Sequence, residues 1–320
     1  MSDAGGLVDP FTLTDGNGYI WLKGNLHSHS TNSDGRVSPQ ERVDGYVNAH
    51  YDYLCVSDHN KITRIDTVDC PEEFTLVQGV ELHPDNPFGG QRHHFLALNM
   101  TEDMDARNMP PQYVIDAVHE QGGAAWLAHP HWSSVNILRD TMPLRGLAGI
   151  EVFNTTCRCM GRGESSVHWD DWMALSGQIL PAISNDDAHA AESAERDTYH
   201  GWTMVRVKER TADAVVEALS SGASYSSSGP GIRDIKLKLV DEEKRTVEAT
   251  VSCSEARRIF AVCDSFGVEY HEGGKLFDTA TFTLRPGAKF VRFEIVDGQG
   301  LKAWSNPYDL LALRNGKVIA

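Results

Sequence analysis

The chain has 320 residues, 41% hydrophobic and 23% charged, a globular composition that excludes a disordered chain. At about 150 residues per domain, the length suggests two domains, each able to bury a core without disulfides. A net charge of −16 disfavours a duplex-binding protein, and no run of about 18 apolar residues exists to span a membrane.

The first residues, Met1-Ser2-Asp3-Ala4-Gly5-Gly6, carry neither a basic nor an apolar segment, so no signal peptide is expected. The six cysteines form no C-x-x-C pair and read as reduced thiols of a cytoplasmic protein. Cys157 and Cys159 make a C-x-C, a weak metal signal on its own. Several apolar runs then end in ionisable residues. Trp21–Leu26 leads into His27-Ser28-His29, Tyr53–Val56 into Asp58-His59, and Phe74–Val80 into Glu81. Ala124–Ala128 leads into His129, Ile150–Phe153 into Asn154, and Ile179–Ile183 into Asn185-Asp186-Asp187-Ala188-His189. Runs of this kind suit strands buried on both faces, the parallel-sheet pattern.

Helices are predicted between them. Ser38-Pro39-Gln40-Glu41 is a capping box with Pro at the first helical position, opening a helix to about His50. Pro111–Gln121 and Thr211–Ser221 are two more, each followed by glycine. Strands alternating with helices imply an α/β barrel or a doubly wound sheet. In a barrel of parallel strands the strand ends open on one face, where distant residues converge.

After Ser226-Ser227-Ser228-Gly229-Pro230-Gly231 the pattern changes. Ile235–Val240, Thr246–Ser252, Arg258–Cys263, Thr281–Leu284 and Lys289–Val296 alternate apolar and polar residues, so a small antiparallel β-sandwich is predicted over 232–320. Residues 231–320 carry 14 basic against 13 acidic residues, and 1–230 carry 15 against 32, with 13 of the 14 histidines. That asymmetry reads as a site-bearing domain followed by an accessory one.

His27 and His29 are i and i+2 on a predicted strand, so both imidazoles share a face and suit Zn²⁺, Mn²⁺ or Fe²⁺. Asp34 follows in a Ser33-Asp34-Gly35 turn. His59, Glu81, His94, His129, Asp187 and His189 sit at strand ends or starts. These nine donors exceed what one ion needs and are enough for two or three.

In that order the motifs resemble the PHP (polymerase and histidinol phosphatase) superfamily of metal-dependent hydrolases. They are Leu26-His27-Ser28-His29-Ser30 with Asp34-Gly35, Val56-Ser57-Asp58-His59-Asn60, Gly79-Val80-Glu81, His94-Phe95-Leu96-Ala97-Leu98, Ala128-His129-Pro130 and Asp187-Ala188-His189. The resemblance spans about 20–230, and its CehA-like branch often adds a C-terminal β-domain. It implies a distorted (β/α)7 barrel over 20–231, after an N-terminal extension at 1–19. It also implies three metal sites: His27, His29, Glu81 and Asp187; Glu81, His94 and His129; and Asp34, His59 and His189. His93 could replace its neighbour, but His94 directly precedes the apolar run and is favoured.

The implied activity is that of a phosphoesterase acting on a small phosphorylated metabolite. A metal-bound hydroxide would attack, with Glu81, Asp187 and His189 as the catalytic residues and two or three Mn, Fe or Zn ions as cofactors. Acid should strip the ions, because imidazoles bind only when neutral. Arg158, Arg162 and His168, on the segment after Asn154, are candidate substrate contacts, since an arginine fork suits phosphate. His131 and Trp132 could line the pocket. Glu151 could orient a ligand or make a core hydrogen bond, and Asp186 is read as support for the ligands. His200 is read as a supporting donor or a structural histidine, while His50, His83, His119 and His271 are set aside as non-ligands. Two alternatives stand beside this reading. One is a carboxyl or carbamate ester hydrolase with the same metals and an aryl pocket of Trp132, Phe153, Trp169 and Trp172. The other is a binding module whose β-domain recognises a carbohydrate or a partner.

Overall fold

The capping box forms as its sequence dictates: the Ser38 side chain accepts from the Glu41 N–H, and the Glu41 carboxylate accepts from the Ser38 N–H. In this computed structural model, residues 18–132, 138–190, 196–264 and 268–316 are described. Residues 1–17 of the expected N-terminal extension lie outside them.

The first half of the chain holds strands β1 (Ile20–Asn25), β2 (Tyr53–Leu54), β3 (Thr75–Leu76), β4 (Gly79–Leu82), β5 (Phe95–Leu98), β6 (Ala124–Leu127), β7 (Gly149–Asn154) and β8 (Ala182–Asn185). Helices α1 (Pro39–Asn48), α2 (Pro111–Glu120), α3 (Leu138–Thr141), α4 (Thr155–Arg158) and α5 (Ser166–Ser176) lie between them. Strand β9 (Trp202–Val207), helix α6 (Ala212–Ser221) and strand β10 (Ser224–Ser227) follow. The rest is β11 (Ile232–Asp241), β12 (Thr246–Cys263), β13 (Val268–Leu284), β14 (Phe290–Val296), β15 (Lys302–Ser305), β16 (Tyr308–Asp309) and α7 (Leu310–Arg314).

One sheet has the order β4-β5-β6-β7-β8, the other β11-β12-β14-β15-β10-β9-β1-β2-β3, with β13 on β12 and β16 on β14. Pairs β1–β2, β2–β3, β6–β7 and β7–β8 are parallel, as the buried apolar runs suggest. Strands β5 and β9 depart from this pattern: β5 runs antiparallel to both β4 and β6, and β9 to both β1 and β10. No helix lies between β4 and β5, so the chain has no crossover to carry it back to the starting edge and returns in the opposite direction. Isolated parallel bridges join Ser28 to Ala188 and His59 to Glu81, tying the two sheets together at the rim.

Residues 226–231, read as a boundary, contain part of a strand. Strand β10 pairs with β9 on one side and β15 on the other, so one sheet runs through the expected junction. Its serines lack an apolar pattern but are buried with hydroxyl partners: Ser226 donates to the Ala182 carbonyl and Ser227 to that of Pro230. The C-terminal lobe is packed against the first. Trp304 and Phe290 belong to the same apolar cluster as Phe153, Trp169 and Trp172, and Arg292 makes two hydrogen bonds to Asp170 (2.6 and 2.7 Å).

Candidate metal centre

The ionisable residues converge because the strands that carry them end on one rim. Beyond β1 the chain stays extended, with Ser28 bridged to Ala188, so His27 and His29 point the same way with ring centroids 5.2 Å apart. Strand β4 brings Glu81, its last residue but one, beside them. The reversed β5 begins at that same rim, which is why His94, preceding a strand instead of following one, reaches the same place. His129 follows β6, and Asp187 and His189 follow β8.

Glu81 lies at the middle. Its Oε1 is 2.6 Å from His94 Nδ1 and 3.0 Å from His129 Nε2. Its Oε2 faces His59 Nδ1 at 2.9 Å, His27 Nε2 at 3.3 Å and His29 Nε2 at 3.4 Å. Asp187 Oδ1 lies 3.0 Å from His29 Nε2 and 3.2 Å from His27 Nε2. Asp34, half exposed, reaches His59 Nε2 at 3.3 Å and His189 Nε2 at 3.4 Å. All nine residues singled out in the sequence therefore meet in one place, and the donor atoms within each of the sets His27/His29/Asp187, Glu81/His94/His129 and His29/Asp34/His59/His189 lie within 4.8 Å of one another.

The donors fit a divalent cation. His27 Nε2, His29 Nδ1, His59 Nδ1, His129 Nδ1 and Glu81 Oε2 are buried and make no hydrogen bond among the described residues. Buried polar atoms left so are costly, at about 1–3 kcal/mol each. The far sides of two rings are fixed instead. His27 Nδ1 bonds Glu151 at 3.0 Å, and His189 Nδ1 bonds its neighbour's carbonyl, Asp187 O, at 2.8 Å. Each arrangement puts the proton on Nδ1 and leaves the Nε2 lone pair facing a carboxylate, as metal-binding imidazoles require. Glu151 also accepts from the His129 N–H (2.8 Å), Asn154 Nδ2 and Asn185 Nδ2, each at 2.9 Å. Glu151 therefore bonds the ring of His27 and also makes buried hydrogen bonds to Asn154 and Asn185, so both of the sequence's options are present. His129 and Asp187 adopt left-handed backbone, φ 22° and 57°.

The charged groups of the centre act strongly on one another. Burial opposes ionisation of Glu81 and Asp187, but the surrounding imidazoles, His27 foremost, hold both well below the usual carboxylate range. Burial likewise opposes protonation of His59 and His189. Glu81 and Asp34 nonetheless raise His59 to about 10, and Asp187 and Asp34 raise His189 to about 9. His29 and His94 are held down to about 4, chiefly by burial. The carboxylates that favour protons on His59 and His189 would equally favour a cation, which would compete with those protons.

The other expected residues divide. Arg158 and Arg162 line one cleft of about 710 Å³ with His131, Phe153, Glu164 and Lys302, the last from the C-terminal lobe. His168 is buried in α5, with Nε2 3.0 Å from Thr141 Oγ1 and its ring against His131, so it borders that cleft through His131. Trp132 lies 5.5 Å from His94 and 5.7 Å from His129, ring to ring. Trp169 and Trp172, offered as pocket walls, are instead fully buried core residues of α5. His93 faces the core beside Phe95, and the strand's alternation gives the rim to His94. Asp186 accepts from Tyr46, Thr155 and the N–H groups of Tyr199, His200 and Gly201, which braces the end of β8. His83, set aside in the sequence, is also at the rim, its Nε2 3.8 Å from Glu81 Oε2. Strand alternation was the available signal, because residue 83 shares the face of residue 81.

No protein-family model matches the sequence, and no curated protein does. Solved structures do. A two-domain protein from Bacteroides vulgatus, containing a predicted PHP-like metal-dependent phosphoesterase, is similar at 18% identity and a TM-score of 0.51 over 94% of this chain and 98% of that one. A protein from Bifidobacterium adolescentis described as a metal-dependent phosphoesterase is similar at 15% identity and a TM-score of 0.42, over 62% of this chain and 96% of that one. A lesion-specific endonuclease from Pyrococcus furiosus gives 14% and 0.44, over 63% and 56%. The first of these spans nearly the whole of both chains, and the chain shares its fold.

Proposed function

We propose that the chain is a metal-dependent phosphoesterase of the PHP type, hydrolysing a small phosphorylated metabolite at a centre of two or three divalent cations. The observation that carries this reading is the set of buried donor atoms around Glu81 and Asp187 that make no hydrogen bond among the described residues. Glu81 and Asp187 would be shared between cations, with His27 and His29, His94 and His129, and Asp34, His59 and His189 completing three donor sets. We read the strands that carry them as the distorted barrel and 232–320 as the accessory β-domain.

Bound divalent cations of the Mn, Fe or Zn kind would make a water acidic near neutral pH and draw charge from the ester oxygen. The chain's own residues do the rest. Glu151 fixes the His27 ring and Asn154 holds Asp187 Oδ2 at 3.2 Å, so the donors stand ready before substrate arrives. Asp34, His59 and His189 are the more open side of the centre, where His189 would hold a cation through Nε2. Arg158 and Arg162 would hold the anionic substrate from the cleft, and His168 would set His131 against it.

The test is elemental analysis of the purified chain together with phosphate release from a panel of phosphomonoesters and diesters. Two or three equivalents of transition ion are expected, with turnover that a chelator abolishes and Asp187→Asn removes. Stoichiometric metal without turnover of any phosphate ester would overturn the reading. Trp132 beside His94 and His129, with Phe153 in the cleft wall, favours the carboxyl or carbamate aryl ester as second reading. Comparing naphthyl acetate with nitrophenyl phosphate separates the two.

A further inference from the structure

His83 lies outside the nine-residue set, yet its surroundings aim it into the centre. It stands two positions after Glu81, just past β4, on the face that carries Glu81. Its Nε2 is buried and makes no hydrogen bond among the described residues. At 3.8 Å from Glu81 Oε2, that atom is too far to donate to the carboxylate and has nothing else to meet. The ring lies parallel to His94, with centroids 3.9 Å apart and planes at 14°, and 4.4 Å from the ring of His59.

The backbone holds it there. The His83 N–H donates to Asn60 Oδ1 at 3.2 Å, and the Asn60 N–H donates to the Glu81 carbonyl at 2.9 Å. Asn60 has the left-handed φ of 51° needed to close this link directly after His59. His83 is thus tied to the two strand ends that carry His59 and Glu81, and the donor atoms of His59, Glu81 and His83 lie within 4.8 Å of one another. An imidazole lone pair and a carboxylate lone pair turned toward the same small volume repel each other. A cation between them turns both into bonds.

We propose that His83 Nε2 is a tenth ligand of the centre, completing with Glu81 and His59 a donor set between the positions served by His94/His129 and by Asp34/His189. The inference rests on the metal-centre reading above. It assigns a protein donor to a coordination position that the nine-residue set would leave to water, so the ion concerned is held more tightly.

The experiment uses the full chain loaded with Co²⁺. Bound equivalents are measured by elemental analysis, and affinity by chelator competition followed through the d–d absorption. His83→Ala is compared with wild type and with His50→Ala, an exposed histidine away from the centre. His83→Gln serves where the alanine variant fails to fold. The expected result is that the His83 variants lose one equivalent or hold it at least about tenfold more weakly, with an altered d–d band, while His50→Ala matches wild type. Wild-type stoichiometry, affinity and spectrum in both His83 variants would overturn the tenth ligand and leave the metal-centre reading standing. If the wild-type chain itself took up no stoichiometric ion, both would fall.

Discussion

Glu151 shows what a single side chain does here. It is fully buried, touches His27 from behind and accepts the His129 N–H, so it sets two imidazoles without reaching the rim itself. Glu151→Ala is expected to cost about 10–100-fold in metal affinity, measured by chelator competition, with Glu151→Gln partly restoring it. His168 makes a different prediction. Burial, with His131 adding to it, holds its imidazole down to about 4, below the ordinary 6.5. A depressed histidine is neutral in the folded state but protonates when unfolded, so its contribution is complete above about pH 6.5. It is lost as pH falls toward 4, by as much as about 3 kcal/mol. His168→Gln removes that titration, and its Tm should fall less than wild type's between pH 7 and 4.5 in matched metal-free samples. At this scale His27-x-His29 was legible because an extended strand leaves no doubt about which face i and i+2 share. Glu151 was not, since a carboxylate within a buried strand looks the same in sequence whether it faces a ligand or a core amide. Trp169 and Trp172 misled for a related reason: an apolar ring in sequence does not say which side of its helix is covered.

Among the elements, the helices with clear end signals were the legible ones. Thr211 caps α6 with its hydroxyl accepting from the Ala214 N–H, and Gly222 closes it in left-handed backbone. Helix α5 was missed: its N-cap residue Ser165 makes no side-chain capping bond, and polar residues interrupt its apolar positions. Strands β9 and β10 were missed too: each has one partner far along the chain, β1 and β15, and the serines of β10 carry no alternation. The expected strands at 246–252 and 258–263 are one strand, β12, whose register shifts between Ser252 and Arg258 against β13. Between elements, Arg292 of β14 makes two short hydrogen bonds to Asp170 of α5, with the arginine 2% exposed. Glu294 is 3.3 Å away, too long to replace two short bonds. Asp170→Ala leaves that guanidinium buried and under-compensated, and a loss of about 3–5 kcal/mol is expected from the denaturant midpoint.

For the molecule as a whole, the two-part division legible in composition is crossed by the hydrogen bonds. Ser224–Ser227 have Lys302–Ser305 on one side, and Trp304 packs beside Phe153 of the first lobe, ring centroids 5.7 Å apart. A chain ending at residue 231 would therefore bare the edge of β10 and the apolar surface that Phe290 and Trp304 cover. Such a truncation is expected to aggregate or lose cooperative unfolding, read by light scattering and thermal melts. A soluble fragment with a sharp transition would show that the first lobe stands alone.

The place of β1 inside that sheet also bears on how the protein is made. Its residues 20–24 pair with residues 203–207, more than 170 positions further along the chain, and its other neighbour β2 covers only Gly24 and Asn25. At roughly 5–20 residues per second on the ribosome, about 10–40 s pass between the emergence of this strand and that of its main partner. Throughout that interval β1 lacks its main partner, and His27 and His29 directly after it wait for the strands that bring the other seven residues of the rim.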